Sequence, residues 1–405
     1  MIRNLAYASL SAASAGLLVI LFILAGRALG DAEFGKFSFA LALGTIFETL
    51  MDFGLHQVTI RAVARDKSRA TELLHHTLGI KLVWASGAFA ALVATATMLR
   101  PQWDVRLACY LVGGSLVLRS YMLTIRGVLQ GLEQFGWDSV VVAVDRGILL
   151  LFGAVALGVG SGLRGLAFAF VAARGAALAL TAWITRAQLG GVGLRFDRAL
   201  WGELQRKALP LGLFLVVLNL YSYVDAVMLG VMRTDVETGL YTAAYRVYEG
   251  LTYAPSVIAA VLTPRLSGLF VSDRAAHRRV ALWGLGGSIA LALTIGTTAY
   301  MLSAPLIVWL FGPAFAGAIP PFRVLCLGLA FVFVIWVLHA IAISVNAERL
   351  LVKTGLAGLA VNVGLNLYAI PRMGASGAAL ATVVGELVSM GVLITGVGSH
   401  LQKRP

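Results

Sequence analysis

Twelve apolar stretches, each near the ~20 residues that span the hydrocarbon core of a bilayer, run the length of this chain. They lie at about 7–28, 36–58, 77–99, 105–127, 139–160, 165–186, 209–231, 240–262, 281–303, 322–344, 353–370 and 375–397. Such a chain has few structural options. Lipid offers the backbone no hydrogen bonds, so each crossing must satisfy its own, and a helix does so. The expected fold is an all-α polytopic membrane protein. Its residues are 59% hydrophobic and 13% charged, against about a quarter charged in soluble domains. The first stretch is too long for a signal-peptide core and reads as an uncleaved helix.

The cations orient these helices. With the N-terminus inside, the inner segments hold 20 of the 32 Lys and Arg residues, Arg3, Arg146, Lys403 and Arg404 among them, and the outer segments eight; Lys81, Arg119, Arg174 and Arg246 fall within helices. That asymmetry places both termini in the cytoplasm. It also accounts for the net charge of +13 without a nucleic-acid partner. The longest outer loop, about 304–321, is apolar and is expected to pack at the interface. Cys109 and Cys326 both sit in apolar runs and suggest neither a disulfide nor a metal site. His75 and His76 are adjacent, cannot share a helix face, and have no evident third ligand, so no metal site is expected there.

The two halves read as related. "GLRGLAFAFVAAR" (162–174) aligns with "GASGAALATVVGE" (374–386), and "EFGKFSFA" (33–40) with "ETGLYTAA" (237–244), at similar offsets. This suggests a six-helix unit used twice in the same orientation. The expected organisation is an N-terminal lobe 1–186, a cytoplasmic amphipathic linker 187–208, a C-terminal lobe 209–397 and a cytoplasmic tail 398–405. Within the linker, Asp197 is a candidate N-cap, and Leu200, Trp201, Leu204 and Ala208 share one face.

Charges at membrane depth are costly and usually face a cavity or a partner. The second helix carries Glu48 and Asp52 one turn apart, suited to a cation or proton site or to a helix-packing network. Lys81 lies close enough to the inner end to snorkel, and is also counted among the candidate cavity cations. Arg119 and Arg174 lie deep in the fourth and sixth helices. Asp225 lies in "NLYSYVDAVMLG". Arg246 and Glu249, at i and i+3, either neutralise each other or face a cavity. Glu386 interrupts the small-residue stretch "GASGAALATVVGELV" and aligns with Arg174 in the repeat. Asn362 and Asn366, at i and i+4, either join helices or line a path.

No phosphate-binding loop, nucleophile elbow or long outer loop with paired acids is present in the sequence, so an enzyme is not expected. A transporter or a non-transporting scaffold of a glycan-synthesis complex remains, and the intramembrane charges favour the transporter.

Several stretches together resemble one family. "RALGDAEFGKFSFALA" (27–42) and "DFGLHQVTIRAVAR" (52–65) look like the first two helices of Wzx-type polysaccharide flippases of the MOP superfamily. "DAVMLG…TGLYTAAYRVYEG", "APLIVWLFGPAFAGA" and "LNLYAIPRMGASGAALAT" resemble the seventh to twelfth helices of that group. The resemblance implies two six-helix lobes in a V around a cavity. It implies a polyprenyl-diphosphate-linked oligosaccharide as substrate, moved from the cytoplasmic to the periplasmic leaflet of a bacterial inner membrane for surface polysaccharide biosynthesis. It also implies coupling to an H⁺ or Na⁺ gradient, no cofactor, and a polysaccharide polymerase as a candidate partner. It adds Arg27, in "GRALG", to the cavity cations and supports Asp225. MATE drug antiporters and the lipid II flippase are relatives in the same superfamily, so a MATE-like cation antiporter is the alternative. That antiporter would have a cavity richer in acids and aromatics than in arginines.

Overall fold

A computed structural model describes residues 2–191 and 193–402, with side-chain surroundings for 16–191, 193–198 and 200–400. Lys403, Arg404 and the side chain of Arg3, assigned above to the inner surface, and part of the expected tail lie outside the described residues. Among the described residues the chain is helical without strands. Ten helical segments are long and apolar enough to cross a membrane. They correspond to the expected spans from the third to the twelfth. The first two are the arms of α1 (Ile2–Asp52), which bends where Gly30 adopts φ 73°, a left-handed value that glycine alone takes without a Cβ penalty.

The chain divides into two compact units, Met1–Tyr223 and Val224–Pro405. The first holds α1, α2 (Leu55–Arg65), a 3₁₀ turn (Lys67–Arg69), α3 (Ala70–Leu99), α4 (Trp103–Gly131), α5 (Phe135–Gly158), α6 (Gly162–Leu189) and most of α7 (Arg198–Met232). The second holds the end of α7, α8 (Asp235–Leu251), α9 (Tyr253–Ser272), α10 (Arg274–Met301), α11 (Ser303–Phe311), a 3₁₀ turn (Pro313–Ala318), α12 (Ile319–Ser344), α13 (Arg349–Met373) and α14 (Ala375–Gln402).

The division falls inside α7 and not at the 187–208 connection. Asp197 accepts the Leu200 N–H at 3.3 Å, as an N-cap does. From there the helix runs unbroken into its span. Leu204 and Ala208 are buried with Leu55, Val58 and Ile80, and Leu200 and Trp201 pack against the same cluster. The amphipathic face is thus part of the first unit's core.

Two further boundaries differ from the sequence reading. The second span ends at Asp52, because Phe53 (φ 41°) and Gly54 (φ 79°) both turn left-handed before α2. The 304–321 stretch, expected to be a loop, is helical. It forms α11 and the following 3₁₀ turn, and Ile307, Phe311 and Phe315 are buried. In the second unit α12 is the central helix. Its Val337, Leu338 and Ile341 share a core with Leu266 of α9, Ala281 of α10 and Leu393 of α14.

Candidate functional site

The last turns of α1 point two carboxylates into the first unit, and each meets a cation. Lys81 Nζ lies 2.6 Å from Asp52 Oδ1 and donates to the Ser120 carbonyl at 2.7 Å. Its side chain is fully enclosed. Lys81 therefore does not snorkel, because a carboxylate and a carbonyl within reach satisfy the ammonium where it stands. Arg119 Nη1 lies 2.5 Å from Glu48 Oε2, and Arg174 pairs with Asp145. The three cations and three acids neutralise one another, as burial requires, since an unpaired buried charge costs several kcal/mol. They differ in access. Arg174 and Asp145 are buried, whereas the Arg119 side chain is 38% exposed and Glu48 beneath it 7%. Arg119 is thus anchored through its guanidinium to Glu48 while part of its side chain stays accessible. Arg27 is exposed on α1, three residues before the Gly30 bend.

The second unit handles charge differently. Asp225, 2% exposed, accepts from Tyr241 OH and Thr382 Oγ1 at 2.7 Å each and from Asn366 Nδ2 at 2.5 Å. Asn366 also donates to Asn362 Oδ1 at 3.1 Å. Four helices, α7, α8, α13 and α14, so converge on one carboxylate. No cation pairs with it among the described residues. One turn beyond Thr382, Glu386 accepts from Tyr248 OH at 2.5 Å, and its second oxygen is buried without a protein partner among the described residues. A Cβ on Gly328 would lie 2.5 Å from that oxygen, so the absence of a side chain at 328 makes room for the acid. The protein partner of Glu386 is thus a tyrosine on a neighbouring helix. Arg246 and Glu249 pair with each other at 2.6 Å, both partly exposed.

Sequence reasoning missed Asp145, Tyr241, Tyr248 and Thr382. Asp145 stands in the apolar run "VVVAVDRGILLL", a signal hidden by reading the adjacent Arg146 as an inner-surface cation. The tyrosines had a readable one. Tyr241, Tyr245 and Tyr248 fall at i, i+4 and i+7 on one face, with ring centroids 5.8 and 5.9 Å apart.

The repeat has a structural counterpart. Gly162 and Gly374, aligned in the sequence, have φ 63° and 56°. Glu33, aligned with Glu237, accepts the Leu163 N–H at 3.2 Å beside Gly162. The Glu237 carboxylate sits 2.6 Å from where a Gly374 Cβ would be. Each unit thus places a glutamate from an early helix at the left-handed glycine that starts a late one. Gly374→Val is expected to cost about 2 kcal/mol or more, from a strained φ plus this clash. A thermal melt within a degree of wild type would contradict it.

An all-helical chain with ionic groups buried within its apolar spans fits a membrane transporter or flippase. The chain belongs to the polysaccharide biosynthesis protein family, whose profile matches residues 1–270. Its fold is that of the MOP superfamily. The lipid II flippase MurJ, in an inward closed conformation, superposes with a TM-score of 0.76 at 12% identity, covering 97% of this chain and 87% of MurJ. An inward-facing multidrug resistance MATE transporter gives 0.70 at 15% identity, covering 98% and 96%. A MOP superfamily transporter from Pyrococcus furiosus, described as having a binding pocket of reverse polarity, gives 0.56 at 14% identity, covering 99% and 92%. Among curated protein sequences none matches the chain.

Proposed function

We propose that this protein is a flippase for polyprenyl-diphosphate-linked oligosaccharides. It moves them from the cytoplasmic to the periplasmic leaflet of the bacterial inner membrane by alternating access, for surface polysaccharide biosynthesis. The observation that carries this is Arg119, whose guanidinium is held by the buried Glu48 and whose side chain stays partly accessible. A diphosphate cannot cross hydrocarbon bare. An arginine fork matches its oxygens, and one already neutralised by a buried carboxylate stays charged and oriented. Arg27 adds a second exposed cation in the same unit.

The driving ion belongs to the second unit in this reading. Asp225 and the Thr382, Tyr241, Asn362 and Asn366 side chains supply up to six oxygens of the kind a hard cation takes. Asn366 Oδ1 is buried without a protein partner among the described residues, so the amide has oxygen to offer. A bound Na⁺ or H⁺ neutralises the acid and biases which state the protein occupies.

A strain lacking the protein should accumulate lipid-linked repeat units on the cytoplasmic face and lose a surface polysaccharide; normal polysaccharide in every class would refute the reading. Mass spectrometry of co-purified lipids should find a polyprenyl diphosphate-sugar. Arg119→Lys keeps the pair with Glu48 but loses the fork, and should slow transport by about tenfold, the equivalent of one charge-assisted contact. Unchanged transport would remove Arg119 from the site.

A MATE-like cation antiporter is the second reading. It is favoured by the acids and the tyrosine face of the second unit. Raised drug sensitivity on deletion, with intact polysaccharide, would select it.

A further inference from the structure

α2 is a short helix with two faces. Leu55, Val58, Thr59 and Val63 are buried, while Arg61 and Arg65, one turn apart, are exposed. Between this helix, the Lys67–Arg69 turn, the start of α3 and the first turns of α7 lies a cavity of about 410 Å³. Arg61, Arg65, Arg69 and Lys207 line it, with Asp66 and Glu203 as the carboxylates. Leu73, Leu200 and Leu204 form an apolar floor.

The carboxylates are engaged. Glu203 pairs with Lys207. Asp66 accepts from the Ser68 N–H at 3.1 Å and the Ser68 hydroxyl at 2.6 Å. Arg69 is engaged as well, by Glu72, with both nitrogens at 2.9 Å. That leaves Arg61 and Arg65 with no ion-pair or hydrogen-bond partner among the described residues. Two like charges at i and i+4 repel. Here they border a cavity with an oily floor, at the point where two candidate membrane spans, Lys67–Leu99 and Leu200–Met232, begin.

We propose that this cavity binds the phosphate headgroup of an anionic diacyl phospholipid. Arg61 and Arg65 take the phosphate oxygens, as guanidinium forks do, and the floor takes the glycerol end of the acyl chains. Cations beside a span attract anionic lipid from the leaflet they face. A soluble phosphate would use only the arginines, whereas a lipid uses both the arginines and the leucines. A lipid seated there bridges α2 and α7, and so fastens the short helix to the base of a long span.

The test is native mass spectrometry of the full-length protein with phosphatidylglycerol or phosphatidylcholine added to the detergent. Wild type should retain phosphatidylglycerol over phosphatidylcholine. Arg61→Gln with Arg65→Gln should lower that retention about tenfold or more. Arg278→Gln with Arg279→Gln removes the same charge from α10 and should leave it unchanged. Equal loss in both double variants would overturn the site in favour of general electrostatic attraction. Excess inorganic phosphate should leave the lipid bound; complete displacement would mean a phosphate site and overturn the lipid assignment. Should the Arg61/Arg65 double variant not fold, Arg61→Gln alone is compared with wild type, and undiminished retention refutes the proposal.

Discussion

Lys81→Met is expected to destabilise the protein by about 3–5 kcal/mol, the cost of stranding a buried charge. The ammonium is fully enclosed, bonded to Asp52 and to the Ser120 carbonyl. Methionine fills much the same volume, so little of the loss comes from packing. What remains is Asp52 without its cation. A second substitution, Asp52→Asn, should therefore recover much of the stability, because it removes the stranded charge while an amide still accepts from the His56 N–H, 3.3 Å away. Thermal unfolding in detergent of the two single variants and the double variant checks this. A Lys81→Met protein that melts like wild type, or a double variant worse than the sum of the singles, would show that the pair does not carry the load assigned to it.

Asp225→Asn should abolish gradient-driven transport and leave the fold nearly intact. The amide oxygen still accepts from Tyr241 and Thr382, which meet Oδ2 in the native protein. The amide nitrogen would face Asn366 Nδ2, which turns its amide to present oxygen. Stability should fall by no more than about 1 kcal/mol, the scale of one rearranged hydrogen bond. The charge that a coupling ion neutralises is gone, so an imposed Na⁺ or H⁺ gradient loses its hold. Transport in proteoliposomes under each gradient reads this directly. Full coupling in the variant would move the ion site elsewhere, with Glu386 the next acid to examine.

Much of the fold was legible because length and hydropathy are strong signals in lipid. The spans from the third to the twelfth lie where apolar length put them, and the repeat was visible in a dozen small residues. What stayed hidden depended on single dihedrals or on neighbours distant in sequence. Nothing in "MDFGLH" says that a non-glycine, Phe53, turns left-handed beside Gly54 and cuts the span short. The site was half legible. Charges in apolar runs announce themselves, so Glu48, Arg119, Arg174, Asp225 and Glu386 could be found by type. Their partners could not. Asp145 hid beside Arg146, and Tyr241 and Thr382 look unremarkable in a helix until three other helices bring them to Asp225.

The order of the ion pairs along the chain has a consequence for how the protein enters the membrane. In the three pairs that hold Lys81, Arg119 and Arg174 the acid comes first: Asp52 precedes Lys81 by 29 residues, Glu48 precedes Arg119 by 71, and Asp145 precedes Arg174 by 29. At 5–20 residues per second the longest of these gaps is roughly 4–14 s of synthesis. A carboxyl can wait that long in lipid, because it can enter carrying a proton and be neutral. An arginine cannot, since it does not give its proton up. With the acids inserted first, Arg119 and Arg174 each arrive to a counter-charge already in place, and neither has to wait in lipid as a charge it has no means to discard.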